Sequence, residues 1–182
     1  MKTSKDVSVK AYIQSDLYRY YGNIKKLTFL KAFLTNKIFR YQMALRMCHA
    51  QGFTKGIGYI WHRLQGKRYL QISPQTQIGY GLYIAHNGPV IINETAIIGN
   101  NCNLSQFTTI GSNEGQAAII GDNVYIGPNV CIVEDVKIGS NVTIGAGSVV
   151  TKDIPENATA VGNYAKVINY NNPGRFINNR WK

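Results

Sequence analysis

The chain is poor in cysteine, in histidine and in acidic residues. Its three cysteines, Cys48, Cys102 and Cys131, are scattered through 182 residues, odd in number and without metal-ligand spacing. That pattern excludes a disulfide framework and points to a reducing compartment. No apolar run approaches the length that spans a bilayer and no secretory leader is visible, so a cytoplasmic location is expected. Of three histidines only His86 lies in the repetitive part of the chain, which leaves no multi-histidine metal site there; no metal is expected.

Acids are scarce where bases are dense. Twenty Lys and Arg stand against nine Asp and Glu, a net charge of +11. Residues 1–70 hold fourteen basic and two acidic residues, a balance of +12, while the remainder balances to −1. Residues 1–70 read as a basic helical segment. Lys10 to Tyr21 forms one expected helix, ended by Gly22-Asn23. Lys26 to Ala50 forms a second, with Leu27, Leu30, Leu34, Ile38, Tyr41, Leu45 and Cys48 at steps of three and four. Gly52, Gly56 and Gly58 then interrupt, and a short piece through Trp61 to Leu64 follows. The segment is expected to cover the end of the structure that follows it. Its basic face also suits an anionic membrane, which would place the protein at the inner face of the membrane, or an acidic polymer. Charge and tyrosine without a binding motif do not make a nucleic-acid site, so none is expected.

From Ile78 to Pro155 the chain is written in hexads. An aliphatic residue opens each, at Ile78, Ile84, Ile92, Ile98, Leu104, Ile110, Ile120, Ile126, Ile132, Ile138, Ile144 and Val150. Two extra residues near Val90-Ile91 and four between Asn113 and Ile119 break the count. Neither a helix nor a simple strand has a six-residue period; a parallel β-helix does. The expected fold is mainly β: about four coils of three hexads over residues 71–168, the basic helical segment before them and a tail over 169–182. Val161 to Ile168 is expected to close the far end. The tail is compatible with loose chain or with packing on a neighbouring subunit.

Stacking arithmetic locates chemistry. One coil on from Ile84 the hexads open at Leu104, then Ile126, then Ile144. Their third residues, His86, Gln106, Pro128 and Ala146, form a ladder along one edge: a base, an amide, then small residues beside room for an elongated ligand. Imidazole is the side chain whose ordinary pKa suits proton abstraction near neutral pH. His49 and His62, in the helical segment, read as surface or packing residues, and Cys102 reads as a small core residue.

The segment Ser73–Ile168 resembles the hexapeptide-repeat acyltransferase superfamily, and within it the serine-acetyltransferase-like branch. The residues that carry the resemblance are Ile78-Gly79-Tyr80-Gly81, Ala85-His86-Asn87-Gly88, Glu94-Thr95-Ala96, Gln106 with Thr109-Ile110-Gly111, Ile144-Gly145-Ala146-Gly147-Ser148-Val149-Val150, and Val161-Gly162-Asn163-Tyr164-Ala165-Lys166. The resemblance implies a left-handed coil, a homotrimer with sites between subunits, and acetyl-CoA as cosubstrate. It implies that His86 removes a proton from an acceptor hydroxyl, with Gln106 and the backbone near Gly111 or Ser112 facing the acceptor or oxyanion. Pro128 and Ala146 would line the CoA arm, and Lys152 and Lys166 would meet its phosphates unless they are plain surface charges.

Three departures shape the expected acceptor. Ala85 stands where serine acetyltransferases have Asp, the loop Asn113–Ala118 holds no second histidine, and no Asp lies near Gln71-Ile72-Ser73. These losses suggest O-acetylation of a sugar or surface polysaccharide, with a carbohydrate acceptor as partner. The alternatives are a serine O-acetyltransferase with a reduced acceptor site, N-acetylation of an amino sugar, and a non-catalytic CoA-binding trimer.

Overall fold

The computed structural model describes residues 8–65 and 69–182. Lys2, Lys5, Asp6, Lys67 and Arg68, counted above in the basic segment, lie outside the described residues.

The hexads wind into a parallel β-helix of about five turns, one more than the repeat count suggests. Its first face stacks β1 (Leu70–Ile72), β4 (Val90–Ile92), β7 (Thr108–Gly111), β10 (Cys131–Val133) and β13 (Val149–Val150). The second stacks β2 (Gln77–Ile78), β5 (Ile97–Ile98), β8 (Ile119–Ile120) and β11 (Lys137–Ile138). The third stacks β3 (Tyr83–Ile84), β6 (Asn103–Leu104), β9 (Tyr125–Ile126), β12 (Thr143–Ile144) and β14 (Thr159–Val161). Finally β15 (Lys166–Asn169) turns back antiparallel on β14 and closes the far end.

Register follows the hexads. Ile84 pairs with Leu104, Leu104 with Ile126 and Ile126 with Ile144. These four, with Val90, Ile110 and Ile132 of the first face and Ile98, Ile120 and Ile138 of the second, point inward and are buried. Each such side chain stabilises the fold by roughly 1.5–3 kcal/mol, but only when a neighbouring coil lies above or below it. Cys102, a fifth-position residue, is fully buried in the core, and that burial pushes its thiol up to about 12. At the corner between the second and third faces the chain turns through Asn101, Asn123, Asn141 and Asn157, all with φ between 56° and 64°. Asparagine tolerates this left-handed conformation, and its amide also links coils: Asn123 donates to Asn141 and Asn141 to Asn157, at 3.1 and 3.0 Å.

The helical segment differs in detail from its sequence reading. α1 (Val9–Tyr21) ends where Gly22 donates its N–H to the Tyr18 carbonyl. The expected long helix is two, α2 (Lys26–Thr35) and α3 (Lys37–Met47). The break is at Asn36, whose backbone is extended and whose side chain accepts from the Phe39 N–H, an N-cap inside a continuous apolar stripe. The glycines expected to interrupt are instead inside α4 (Gly52–Gln65). Gly58 is there because α4 lies on the end of α3: a Cβ at 58 would sit 2.5 Å from the Met47 carbonyl carbon.

A β-helix leaves the backbone of its first coil without a coil beneath it, and such an edge must be covered. Side chains of α1 and α3 do this. Arg46 donates to the carbonyls of Ile78 and Gly79, both at 2.7 Å, and makes two contacts to Asp16, at 2.9 and 3.0 Å. Asp16 in turn accepts from the Leu82 N–H at 2.8 Å. Ser15 accepts from Gly81, Tyr20 accepts from Ile84, and Gln42 donates to the Leu82 carbonyl. The capping expected of this segment is therefore carried by side chains aimed at one row of peptide groups.

The tail packs on its own solenoid. Asn103 donates to the Phe176 carbonyl, Asn179 to the Arg19 carbonyl, and Asn101 exchanges two hydrogen bonds with the Trp181 backbone. The strap thus runs from the last coil back to α1.

Candidate active site

His86 lies where the third face turns into the first, at φ 62°, with an exposed side chain. In the next three coils the left-handed residue of this corner falls one position later, at Phe107, Asn129 and Gly147. The extra residues of the first coil cause the offset, so His86 shares the hexad position of Gln106, Pro128 and Ala146 but not their backbone conformation. Gly88 makes the tight return possible, because a Cβ there would lie 2.5 Å from Cβ of Gln106.

The imidazole opens onto a cavity of about 450 Å³ between this corner and the helices. Lys37, Arg40 and Tyr41 of α3, Gln65 of α4, and Tyr69 and Asn87 contribute to its wall, and no acidic residue does. Gln65 Nε2 and Gln106 Oε1 are buried without a hydrogen-bond partner among the described residues. A buried amide atom in that state costs free energy unless something occupies it. The cavity thus combines a base, two cations and an unsatisfied amide donor, and the Cβ of Gln106 packs directly behind Gly88. Glu94, the carboxylate nearest His86 in sequence, is at a different corner, where it accepts from Ser73.

Gly111 and Ser112 are elsewhere on the same protomer. They border a second cavity of about 610 Å³ over the first face, with Gln71, Asn93, Thr109 and Glu134. Ser112 donates to Glu134 at 2.7 Å, and the N–H groups of Asn113 and Glu114 point to the same carboxylate. Those hydrogen bonds hold Glu134 below the usual carboxylate range. Lys152 follows β13 at this second corner, and Lys166 starts β15; both are exposed. Pro128 is half-buried and Ala146 exposed on the His86 edge. One chain therefore brings His86, Gln106, Pro128 and Ala146 to one edge and leaves Gly111, Ser112 and Lys152 at another. His62 is a packing residue, 3.0 Å from the Tyr41 hydroxyl, and burial lowers its pKa.

The residues that sequence reasoning missed are Lys37, Arg40 and Gln65. They lie about twenty to fifty positions before His86, and no spacing rule links a helix to a β-helix corner.

Stacked hexads of this register define a hexapeptide-repeat transferase fold, and the family model "Bacterial transferase hexapeptide (six repeats)" matches residues 117–152. A serine acetyltransferase of Arabidopsis thaliana mitochondria is 39% identical over 113 residues, 60% of this chain and 29% of the relative. Among solved structures, Neisseria gonorrhoeae serine acetyltransferase in complex with serine superposes with a TM-score of 0.70 at 28% identity, covering 88% of this chain and 69% of the other. Serine acetyltransferase in complex with coenzyme A from Brucella abortus gives 0.66 at 25%, covering 88% and 66%. The chain is similar to the hexapeptide-repeat transferases and, within them, to serine acetyltransferases, and its coil matches the left-handed β-helix of that fold. It spans less than half the length of the curated relatives it matches.

These matches overturn the expected sugar or polysaccharide acceptor, and with it the carbohydrate partner. Relatives at 32–43% identity are serine acetyltransferases. The sugar reading rested on missing acids at Gln71 and Ala85 and on a missing loop histidine. It took no account of the cavity wall supplied by the helices, which carries two cations, Lys37 and Arg40.

Proposed function

We propose that the chain transfers an acetyl group from acetyl-CoA to the hydroxyl of L-serine. The observation that carries this reading is His86, opening on a cavity with a cationic wall, inside a fold whose relatives are serine acetyltransferases. His86 takes the proton of the serine hydroxyl as its oxygen attacks the thioester carbonyl carbon. The tetrahedral adduct then expels the CoA sulfur, which leaves with the proton from the imidazolium. O-acetylserine and CoA are the products, and imidazole is restored. Lys37 and Arg40 attract the serine carboxylate, and Gln65 Nε2 supplies it a hydrogen bond.

CoA lies along the edge beyond His86, beside Pro128 and Ala146, and its phosphates meet Lys152 and Lys166. Placing Lys152 and the Gly111–Ser112 backbone beside His86 calls for a homotrimer, in which one subunit's His86 corner faces the other corner of its neighbour. A backbone N–H so placed stabilises an oxyanion by about 3–4 kcal/mol.

Thiol release from acetyl-CoA on addition of L-serine is the direct test, with His86→Ala expected to lower kcat about 100-fold or more. CoA binding without serine-dependent release would overturn the acceptor assignment. Near-normal turnover of His86→Ala would remove the imidazole from its role.

A further inference from the structure

The helical segment carries a surface that the proposed reaction does not use. On α4, Phe53, Ile57, Ile60 and Leu64 are spaced four, three and four apart, so they share one helix face. That face is open: Phe53 is 85% exposed, Ile60 66% and Leu64 77%. Leu27, Leu30 and Leu34 form a second open stripe on α2, at 81%, 53% and 65%. The ring contact between Phe33 of α2 and Trp61 of α4, 6.2 Å between centroids, joins the two helices beside these stripes. Single exposed apolar side chains are ordinary, but two stripes of long aliphatic and aromatic residues on helices in contact mark a binding surface.

Charge selects the occupant. Across residues 8–65 the only carboxylate is Asp16, and it is buried against Arg46. The exposed charged residues of the same span are Lys10, Lys25, Lys26, Lys31, Lys37, Lys55 and Arg63, all basic. A second copy of this surface would bring like charges together, whereas an anionic lipid surface accepts both the cations and the apolar stripes. Among the described residues no helix is long and apolar enough to cross a membrane, so the fitting geometry is a helix pair lying in the interface.

We infer that α2 and α4 dock the protein on an anionic lipid bilayer, with Leu27, Leu30, Leu34, Phe53, Ile60 and Leu64 in the headgroup–acyl boundary. The docking does not rest on serine as acceptor. Its function would be to hold a soluble reaction at a membrane face.

Flotation of the full chain with phosphatidylcholine vesicles, with and without phosphatidylglycerol, tests this. Retention is expected on the anionic vesicles, weaker at higher salt, and little on phosphatidylcholine alone. The pair Leu30→Ser/Ile60→Ser should weaken vesicle affinity roughly tenfold or more while thermal midpoint and serine-dependent thiol release stay unchanged. Lys26→Glu/Lys31→Glu should weaken it on anionic vesicles as well. Absence of retention on anionic vesicles would overturn the proposal, as would equal retention of the Leu30/Ile60 pair. So would retention by polyglutamate in place of vesicles. If the Leu30/Ile60 pair reduces the size of the assembly and lipid is not bound, the stripes join copies of this chain instead.

Discussion

The β-helix and its helical cap satisfy their peptide groups in opposite ways. In the β-helix each coil donates to the next along the same three faces, so Ala85, Ser105 and Gly127 all repeat one backbone bond. In the cap no backbone group among the described residues hydrogen-bonds to the first coil, and Asp16, Arg46, Ser15, Tyr20 and Gln42 cover it with side chains. Repetition makes the first arrangement tolerant, because each coil's bonds are copies of its neighbour's. The second is made of single contacts with no duplicates, so loss of one should propagate.

Asp16→Ala is the hardest test of that contrast. It leaves the Arg46 guanidinium buried and uncompensated and the Leu82 N–H without its acceptor, and should cost about 3–5 kcal/mol. The double variant Asp16→Leu/Arg46→Met should not recover the loss, since the carbonyls of Ile78 and Gly79 would then lose their donors too. Denaturant midpoints at matched protein concentration measure both; full recovery in the double variant would show that the pair is only an ion pair and not an edge cover.

Leu104→Ala, inside the stack, removes a fully buried side chain between Ile84 and Ile126 and should cost about 2–5 kcal/mol. Its effect should be local to the stack, leaving vesicle binding intact. A loss below that of an exposed-site substitution would mean that the coils relax around the gap, and the packing account would fail. The smallest effect is expected at Asn36→Ala, about 1 kcal/mol for a lost N-cap. If instead α2 and α3 fuse and stability rises, as circular dichroism would report, then the break at Asn36 is imposed by packing and not by its side chain.

Much of the β-helix was legible because its period is local. Ile84, Leu104, Ile126 and Ile144 could be aligned by counting, and the pairing follows that count. The cap was legible as helical but not in its joints. The stripe from Leu27 to Cys48 runs unbroken through Asn36, so periodicity cannot reveal a break made by one side chain's hydrogen bond. The glycines of α4 read as interruptions because their cost in a helix is visible in sequence, whereas the close approach of Met47 that requires Gly58 is not. At the candidate site His86 was legible, being the lone histidine of the repeat. Its cationic wall was not.

What the amino-acid sequence determined by itself was the solenoid: six-residue periodicity, which residues turn inward, and which third positions share an edge with His86. Those follow from contacts between residues a fixed distance apart in the chain. Only the tertiary structure decided that Asp16 and Arg46 seal the first coil, that the tail straps onto Asn101 and Asn103, and that Lys37, Arg40 and Gln65 line one cavity with His86. These contacts join segments from about twenty to eighty residues apart with no repeating interval, and their partners are chosen by shape and by unsatisfied hydrogen bonds that exist only once the coil has formed.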